Sequence, residues 1–515
     1  MGAVVSGPDS QGAHQGLTAA YRDLLAELCE RHGVPGAQLG ILRMDPGAPG
    51  GAAQAPDIGV AVHGSVNLRT GAPVTPDSIF QIGSITKIYT TTLLMRLIEA
   101  GTPVPAPGPA GTGAGPGVDT TSAAGEGAPL TLDTPVRDIV QELKLRDPRT
   151  RAELTVRHLL THTSGIDGDL FVDTGRGDDC LQKYLDVLAE AAQIHPVGAM
   201  YSYCNSGFSL AGLIIERLTD KGWDTALRES LLDPLGLDHS VTLPEDAILL
   251  GDVAVGHEDI AGATSVIRQW HLPRSSGPAG AVVARAADVL AFAYMHMAEG
   301  EGATGARVLG AGSVADMQTE QVAQPDRGTS GDARGLGWVL SDWNGEFVYG
   351  HDGGTMGQAA YLRIHPDSGT AVVLLTNGGN GQMVYEELFE RVFADLAGIA
   401  KPCRVAPPED WPDRALSSEV AAELTGAYVR AEERIEVTLG PETLRIRQVD
   451  TSPFTEVEDI PVATSVLAPL GSGTDGRFAR YSAGLGAWSA VTFLHLPDGS
   501  RYVHTDGRAT PLVEG

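Results

Sequence analysis

The spacing of apolar residues along the chain predicts an α/β protein of the α+β type. A helical spacing runs through 17–28, and a stronger one runs through 79–101. Alternating or continuous apolar segments predict strands at 37–42, 58–66, 346–350, 358–364 and 370–376. Further helices are predicted at 180–193, 206–219, 286–299, 312–320 and 383–397. Helices in the middle with strands at both ends indicate one sheet built from distant parts of the chain, beside a helical region.

Changes in composition divide the chain. Of the 28 residues in 102–129, 13 are Gly or Pro, which predicts a flexible surface insertion because such a segment buries too little apolar surface to offset its ordering entropy. Four prolines in 401–416 predict a linker. Beyond it, short alternating segments such as 434–439 predict a small antiparallel β-barrel or sandwich. We therefore expect a first domain over residues 1–400 and a β-domain over residues 417–515.

The charge balance excludes two classes of partner. The 515 residues include 36 basic and 65 acidic side chains, a formal net charge of −29. Nucleic-acid phosphates and acidic membrane surfaces repel such a polyanion, so neither is expected as a partner. Residues 1–15 lack a signal-peptide pattern, and no apolar run approaches the roughly 18 residues of a membrane span. These features predict a soluble cytoplasmic protein with unpaired cysteines, and they leave formation of a homo-oligomer open.

The candidate nucleophile is Ser84, which lies where a strand-like segment enters the long helix. A helix N-terminus provides free N–H groups and the positive end of the helix dipole. Lys87 follows on the same helix face, and a lysine one turn inside a buried helix is desolvated. Desolvation lowers the lysine pKa and suits the amine to take the serine proton. The alternative is a helix-capping serine beside a surface lysine.

Two further segments carry candidate chemistry, and each also allows a purely structural interpretation. Tyr203 and Asn205 precede a predicted helix; a phenol near a cation can shuttle a proton, and an amide can hold a carbonyl oxygen or the lysine. A turn with a core aromatic and a capping Asn would give the same pattern. A segment with His351, Gly353 and Gly354 joins two predicted strands. Its glycines allow a substrate backbone to approach closely, and a backbone N–H there can bind an oxyanion. An ordinary glycine-rich hairpin is the alternative there.

In this order, Ser-x-x-Lys, Tyr-x-Asn and His-x-Gly resemble the motifs of the serine β-lactamase and penicillin-binding-protein superfamily. The pattern is most similar to class C β-lactamases, family VIII esterases, D-aminopeptidases and penicillin-binding-protein-type thioesterases. Further similar segments lie at 34–36, 159–165, 335–338 and 374–378. The resemblance implies a β-lactamase/DD-peptidase-like mixed antiparallel sheet flanked by helices, with the site between the sheet and an all-helical region. It also implies that the trailing β-domain is a lipocalin-like antiparallel barrel.

The resemblance implies a mechanism through an acyl-enzyme. Ser84 would attack the acyl donor with Lys87 as its general base, and Tyr203 would relay the proton to the leaving group. The backbone N–H groups of Ser84 and Gly354 would form the oxyanion hole. Loss of one such donor costs about 100- to 1000-fold in rate. No cofactor is implied, and no spacing of His, Asp or Glu predicts a metal site.

The residues expected to bind or orient the substrate are Asn205, His351 and Gly353. His351 departs from the β-lactamase pattern, which has lysine there. Histidine is often neutral at pH 7, so capture of a carboxylate, and with it β-lactam hydrolysis, should be poor. Asp352 is expected to face away from the site, and His162 is expected to serve packing.

The sequence thus predicts a serine hydrolase or acyltransferase that acts on an ester or amide bond of a small-molecule or peptide acyl substrate. One alternative is a stand-alone penicillin-binding-protein-type thioesterase that cyclises or releases a nonribosomal peptide. An alternative of another class is a catalytically silent binding or scaffold protein on the same fold.

Overall fold

The computed structural model describes residues 16–44, 56–105, 127–260, 263–402, 405–411, 416–431, 433–440, 443–450, 464–471, 475–482 and 487–513. Most of the predicted insertion, at 106–126, lies outside these residues, as does part of the predicted linker. Within the described ranges, no helix has both the length and the apolar character that crossing a bilayer requires.

Among the described residues, thirteen strands precede the C-terminal region. They are β1 (Gly36–Arg43), β2 (Asp57–Asn67), β3 (Ala72–Pro73), β4 (Phe80–Gln81), β5 (His257–Ile260), β6 (Ala263–Val266), β7 (Val283–Ala284), β8 (Val322–Ala323), β9 (Ala333–Arg334), β10 (Val339–Trp343), β11 (Glu346–Thr355), β12 (Gln358–His365) and β13 (Thr370–Thr376). Nine of them form an antiparallel sheet in the order β3-β2-β1-β13-β12-β11-β10-β9-β8. The predicted sheet from distant parts of the chain is therefore present, since the N-terminal β1 pairs with β13.

All but the last of the described helices flank this sheet or build the helical region, and the last packs into the core of the C-terminal region. They are α1 (Arg22–Arg31), α2 (Thr86–Glu99), α3 (Val136–Ile139), α4 (Pro148–Glu153), α5 (Val156–Leu160), α6 (Cys180–Glu190), α7 (Asn205–Thr219), α8 (Trp223–Leu227), α9 (Asp233–Leu235), α10 (Pro244–Leu250), α11 (Gly277–Gly280), α12 (Ala286–Met297), α13 (Ala311–Gln318), α14 (Gly381–Ala397) and α15 (Ser418–Leu424).

Both faces of the central sheet are covered, which explains the continuous apolar character of β13. Val372 and Leu374 pack in one core with α1 and α14, whereas Val373 and Leu375 pack in another with α12. This alternation follows the period of two of a strand. The sheet is thereby held rigid between two helical layers, a suitable base for a site at its edge.

The C-terminal region is a closed antiparallel barrel of eight strands. They are β14 (Gly426–Arg430), β15 (Glu433–Leu439), β16 (Leu444–Asp450), β17 (Thr464–Pro469), β18 (Arg477–Ser482), β19 (Ala487–His495), β20 (Arg501–Thr505) and β21 (Arg508–Val513). Pairing of Tyr428 with Leu512 closes the barrel, and a core that includes Phe478 and Val503 fills it. The predicted barrel class is therefore confirmed, and closure leaves the eight described strands without an exposed sheet edge.

Two element boundaries near the candidate site differ from the sequence expectation. The expected strand ends at residue 350, but β11 runs to Thr355, so His351, Gly353 and Gly354 lie within the strand and pair with β12 instead of joining two strands. The helical spacing begins at residue 79, but Phe80 and Gln81 form a short strand and α2 begins only at Thr86. Between them, Gly83 has a φ of +51°, in the left-handed region that ends regular strand or helix geometry. The segment therefore turns sharply where the candidate nucleophile lies.

Candidate active site

Ser84 lies in the turn that leads into α2. A 3-10 helix at Gly83–Ile85 joins β4 to α2, and the Ser84 side chain is half-buried. A Cβ atom at position 83 would lie 2.6 Å from the backbone nitrogen of Gly354, so only glycine fits between this turn and β11. The fold thus brings Ser84, at the positive end of a buried helix, against the strand that carries the His-Asp-Gly-Gly segment.

Lys87 is fully buried beneath Ser84. Its Nζ lies 3.0 Å from Ser84 Oγ and donates to the carbonyl oxygen of Ala279 at 2.7 Å. Burial, and then the positive charge of Arg508, hold the pKa of Lys87 well below its usual range. The amine can therefore be neutral near pH 7, and its lone pair can accept the Ser84 hydroxyl proton.

Tyr203 lies beside this pair, just before α7. Its ring centroid is 4.8 Å from Lys87 Nζ, and its hydroxyl is within hydrogen-bonding reach of Ser84. The ring stacks on His162 with 4.3 Å between centroids. Burial raises the pKa of the phenol, so Tyr203 stays protonated at neutral pH. A protonated phenol next to a serine can accept one proton while it donates another.

His351 is a neutral hydrogen-bond acceptor rather than a cation. Its Nδ1 lies 2.6 Å from the carbonyl oxygen of Asp352, so Nδ1 carries the proton and donates it. Burial, followed by the charge of Arg334, holds the His351 pKa well below its usual range. Nε2 has a lone pair and no hydrogen-bond partner among the described residues. The fixed cation of the β-lactamase pattern is thus replaced by an acceptor.

Gly353 and Gly354 bring β11 alongside the turn that carries Ser84. A Cβ at position 353 would meet the Ile82 carbonyl oxygen at 1.9 Å and the Ser84 nitrogen at 3.0 Å. Gly353 is therefore required for this close approach. The backbone nitrogens of Ser84 and Gly354 consequently lie at the same corner, where the resemblance implies an oxyanion hole.

Asn205, the first residue of α7, is part of a charge cluster that the sequence did not reveal. Its Nδ2 donates to Asp169 Oδ1 at 2.8 Å. Asp169 also accepts two bonds from Arg508, at 2.5 and 3.0 Å, and one from Arg430 at 2.8 Å. Although burial opposes it, these two cations lower the Asp169 pKa to about 2. One side-chain N–H of Asn205 is therefore used in a bond within the protein. The side-chain carbonyl oxygen of Asn205 takes no part in this bond.

The barrel contributes directly to the walls of the site. The Tyr203 N–H donates to the carbonyl oxygen of Gly507 at 2.9 Å, and Arg508 Cζ lies 5.1 Å from the Tyr203 ring centroid. Beside them, the Ala509 N–H donates to Ser202 Oγ at 3.1 Å. The turn between β20 and β21 therefore covers the segment that holds the phenol.

Two residues expected to have structural roles do have them. His162 Nδ1 accepts the backbone N–H of Cys204 at 3.0 Å, so this buried ring supports Tyr203 from within the helical region. Asp352 points away from the serine and forms a two-bond ion pair with Arg363, at 2.5 and 3.0 Å.

Known proteins share this architecture. The beta-lactamase family model matches residues 21–396. Penicillin-binding protein 4 of Amycolatopsis lactamdurans is 38% identical over 395 residues, which is 76% of this chain and 93% of that protein. The crystal structure of SurE with D-Leu aligns with a TM-score of 0.70 and 25% identity over 97% of this chain and 100% of that one.

A third similarity concerns the fold alone. The octameric penicillin-binding protein homologue from Pyrococcus abyssi aligns with a TM-score of 0.59 and 20% identity, over 96% of this chain and 100% of that one. The family match spans the elements that carry Ser84, Lys87, Tyr203 and His351. The chain belongs to the beta-lactamase family, whose members include serine hydrolases and penicillin-binding proteins.

Proposed function

We propose that the protein is a serine acyl-transfer enzyme that opens an ester or amide bond through a Ser84 acyl-enzyme. The observation that carries this proposal is the contact between Lys87 Nζ and Ser84 Oγ, 3.0 Å apart, with the lysine fully buried. An amine whose pKa burial has lowered is a general base suited to neutral pH. A lysine kept for structure alone would gain more from a carboxylate partner than from a hydroxyl.

The remaining groups supply the other steps. As Ser84 Oγ attacks the acyl carbon, its proton passes to Lys87 and the carbonyl oxygen becomes an oxyanion. The N–H groups of Ser84 and Gly354 stabilise that charge. The Tyr203 hydroxyl then protonates the leaving group and recovers a proton from Lys87. Water, an amine or an alcohol afterwards attacks the acyl-enzyme and restores Ser84.

The neutral His351 favours substrates without an essential carboxylate. Hydrogen bonds to charged groups contribute about 1.5–3 kcal/mol, which is a factor of roughly 10 to 100 in binding. We expect a short-chain 4-nitrophenyl ester to acylate Ser84 faster than benzylpenicillin by about that factor. Time-resolved intact-protein mass spectrometry with both substrates measures the two rates.

The methyl ester of benzylpenicillin is the matched control for this comparison. It keeps the β-lactam ring and removes only the negative charge. We expect it to acylate Ser84 at least as fast as the free acid, because the acid must desolvate a carboxylate beside a group that cannot donate. If free benzylpenicillin acylates Ser84 faster than both its methyl ester and the 4-nitrophenyl ester, the assignment of His351 as a neutral acceptor is wrong.

Acyl transfer to an amine, including release or cyclisation of a peptidyl thioester, is a second candidate. The barrel turn at Gly507 and the Arg508 side chain cover Tyr203, which limits access of water to an acyl-enzyme. The similarity to SurE, whose structure contains D-Leu, extends over the barrel as well. We therefore infer a peptide acyl donor with a D-configured residue at its reactive end for this reaction.

Arg508→Met is expected to shift the fate of the acyl-enzyme from transfer to hydrolysis. Removal of the guanidinium opens the Tyr203 ring to water, and we expect the ratio of cyclic to linear product to fall roughly tenfold. The ratio is measured by chromatography after incubation with an amine-bearing peptidyl thioester that ends in a D-residue. Arg430→Met is the control, since Arg430 binds the same Asp169 carboxylate without an observed contact to the Tyr203 ring. Linear acid alone from the wild type, or equal ratios in both variants, would contradict this role.

A further inference from the structure

A second cluster of chemistry-bearing side chains lies at the far end of the β11–β12 hairpin. Glu346 begins β11, His365 ends β12, and Asp367 follows in the turn at Pro366–Ser368. Their ligand-type atoms all lie within 4.8 Å of one another. Sequence spacing does not reveal the cluster, because the antiparallel pairing of two strands brings Glu346 to the other two residues.

The hydrogen bonds around His365 fix its tautomer. Arg43 donates to Thr370 Oγ1 at 2.9 Å, and Ser368 Oγ donates to the same oxygen at 2.8 Å. With its own proton used in this way, Ser368 Oγ can only accept from His365 Nδ1, which lies 2.8 Å away. Nδ1 therefore carries a proton, and Nε2 of the neutral ring presents a lone pair.

This lone pair points to a carboxylate, an arrangement that needs a cation. His365 Nε2 lies 3.3 Å from Glu346 Oε2, and the His365 side chain is only 4% exposed. Two acceptors face each other there unless a proton or a metal ion lies between them. In a tetrahedral zinc site with bonds of about 2.0–2.2 Å, neighbouring ligand atoms are roughly 3.3–3.6 Å apart. The observed separation fits two ligands of one ion.

We propose that Glu346, His365 and Asp367 form a binding site for one divalent transition-metal ion, with Zn²⁺ as the expected occupant. One imidazole and two carboxylates suit this ion, and a water molecule would complete four ligands. The bond from Nδ1 to Ser368 is the outer contact that typically orients a metal-binding histidine. Both carboxylates are exposed, so they can rotate toward the ion and leave it an open path from solvent.

The site would stabilise the structure rather than take part in acyl transfer. Glu346 lies five residues from His351 along β11, about 17 Å at the rise of an extended strand. A bound ion would tie the first residue of β11 to the end of β12. Because ligands of the native state stabilise it by mass action, the melting temperature should rise by a few degrees with excess Zn²⁺.

The test measures metal content and coordination in the full chain. After treatment with a chelator, the wild type is dialysed against Zn²⁺, and we expect one ion per chain by elemental analysis. Co²⁺ in its place should give the visible absorption of a four-coordinate ion. The double variant Glu346→Gln/Asp367→Asn should bind at least about tenfold more weakly and lose that absorption. Binding should also weaken on acidification, because a proton competes for Nε2.

A matched control separates this site from ordinary surface pairs. His32 and Glu387 form a histidine–carboxylate pair at 2.7 Å that belongs to no cluster of three ligands among the described residues. Glu387→Gln should leave zinc content and the cobalt spectrum unchanged. Absence of stoichiometric binding would show that a proton bridges His365 and Glu346, and binding that persists in the double variant would show that the ion has other ligands. Either result would overturn the proposal. Acyl-enzyme formation at Ser84 does not enter this test.

Discussion

Ser84→Ala is expected to abolish covalent labelling and to reduce turnover by several orders of magnitude, up to about a million-fold, the scale seen when a catalytic serine is removed. Among the described residues, Ser84 provides the hydroxyl that contacts the buried Lys87 amine, at 3.0 Å. The alanine variant keeps Gly83 and the start of α2, so it should fold normally. Intact-protein mass spectrometry after incubation with a fluorophosphonate probe and with a 4-nitrophenyl ester measures the adduct.

Ser65→Ala is the control for this experiment. Ser65 is also half-buried, but it lies on β2 and its Oγ donates to the carbonyl oxygen of Ala72. It should label like the wild type. Equal labelling of Ser84→Ala and wild type would disprove the nucleophile assignment. A wild type that no ester or thioester labels would favour the catalytically silent binding protein instead.

Local patterns in the sequence were sufficient to predict that the candidate nucleophile and its candidate base are neighbours. Ser84 and Lys87 lie one helical turn apart, so the periodicity that predicts α2 also places both on one face. β13 was likewise predictable, because seven consecutive buried residues leave a clear apolar run. The turn at Gly83 was not, since its left-handed φ reflects contact with β11, which lies about 270 residues further along the chain.

The charge cluster around Asn205 could not be predicted for the same reason. Asp169 forms ion pairs with Arg430 and Arg508, which lie 261 and 339 residues further along the chain. The local sequence around these barrel arginines does not indicate that they reach this carboxylate. Alternating segments predicted a barrel or a sandwich, but closure depends on the pairing of β14 with β21. The type of residue at 351 was visible in the sequence, whereas its tautomer depends on the Asp352 carbonyl. Long-range contacts therefore decide the electrostatics of this site.

Tyr203→Phe is expected to fold normally and to lose about 100-fold in turnover of an amide or an alkyl ester, the usual scale of general acid catalysis. Phenylalanine keeps the stacking on His162 and the contact with Arg508, and it removes only the hydroxyl near Ser84. An unchanged melting temperature would show that the fold is intact. Steady-state rates on a matched pair of acyl donors give the effect.

The dependence on the leaving group distinguishes proton relay from simple packing. A 4-nitrophenolate leaves without a proton, so the loss for a 4-nitrophenyl ester should be much smaller than for an alkyl ester of the same acid. Tyr201→Phe is the matched control, because the Tyr201 hydroxyl is buried and has no hydrogen-bond partner among the described residues. It should retain near wild-type rates on both donors. Equal losses on both donors in Tyr203→Phe would assign Tyr203 to Ser84 activation, and no loss on either would remove it from the mechanism.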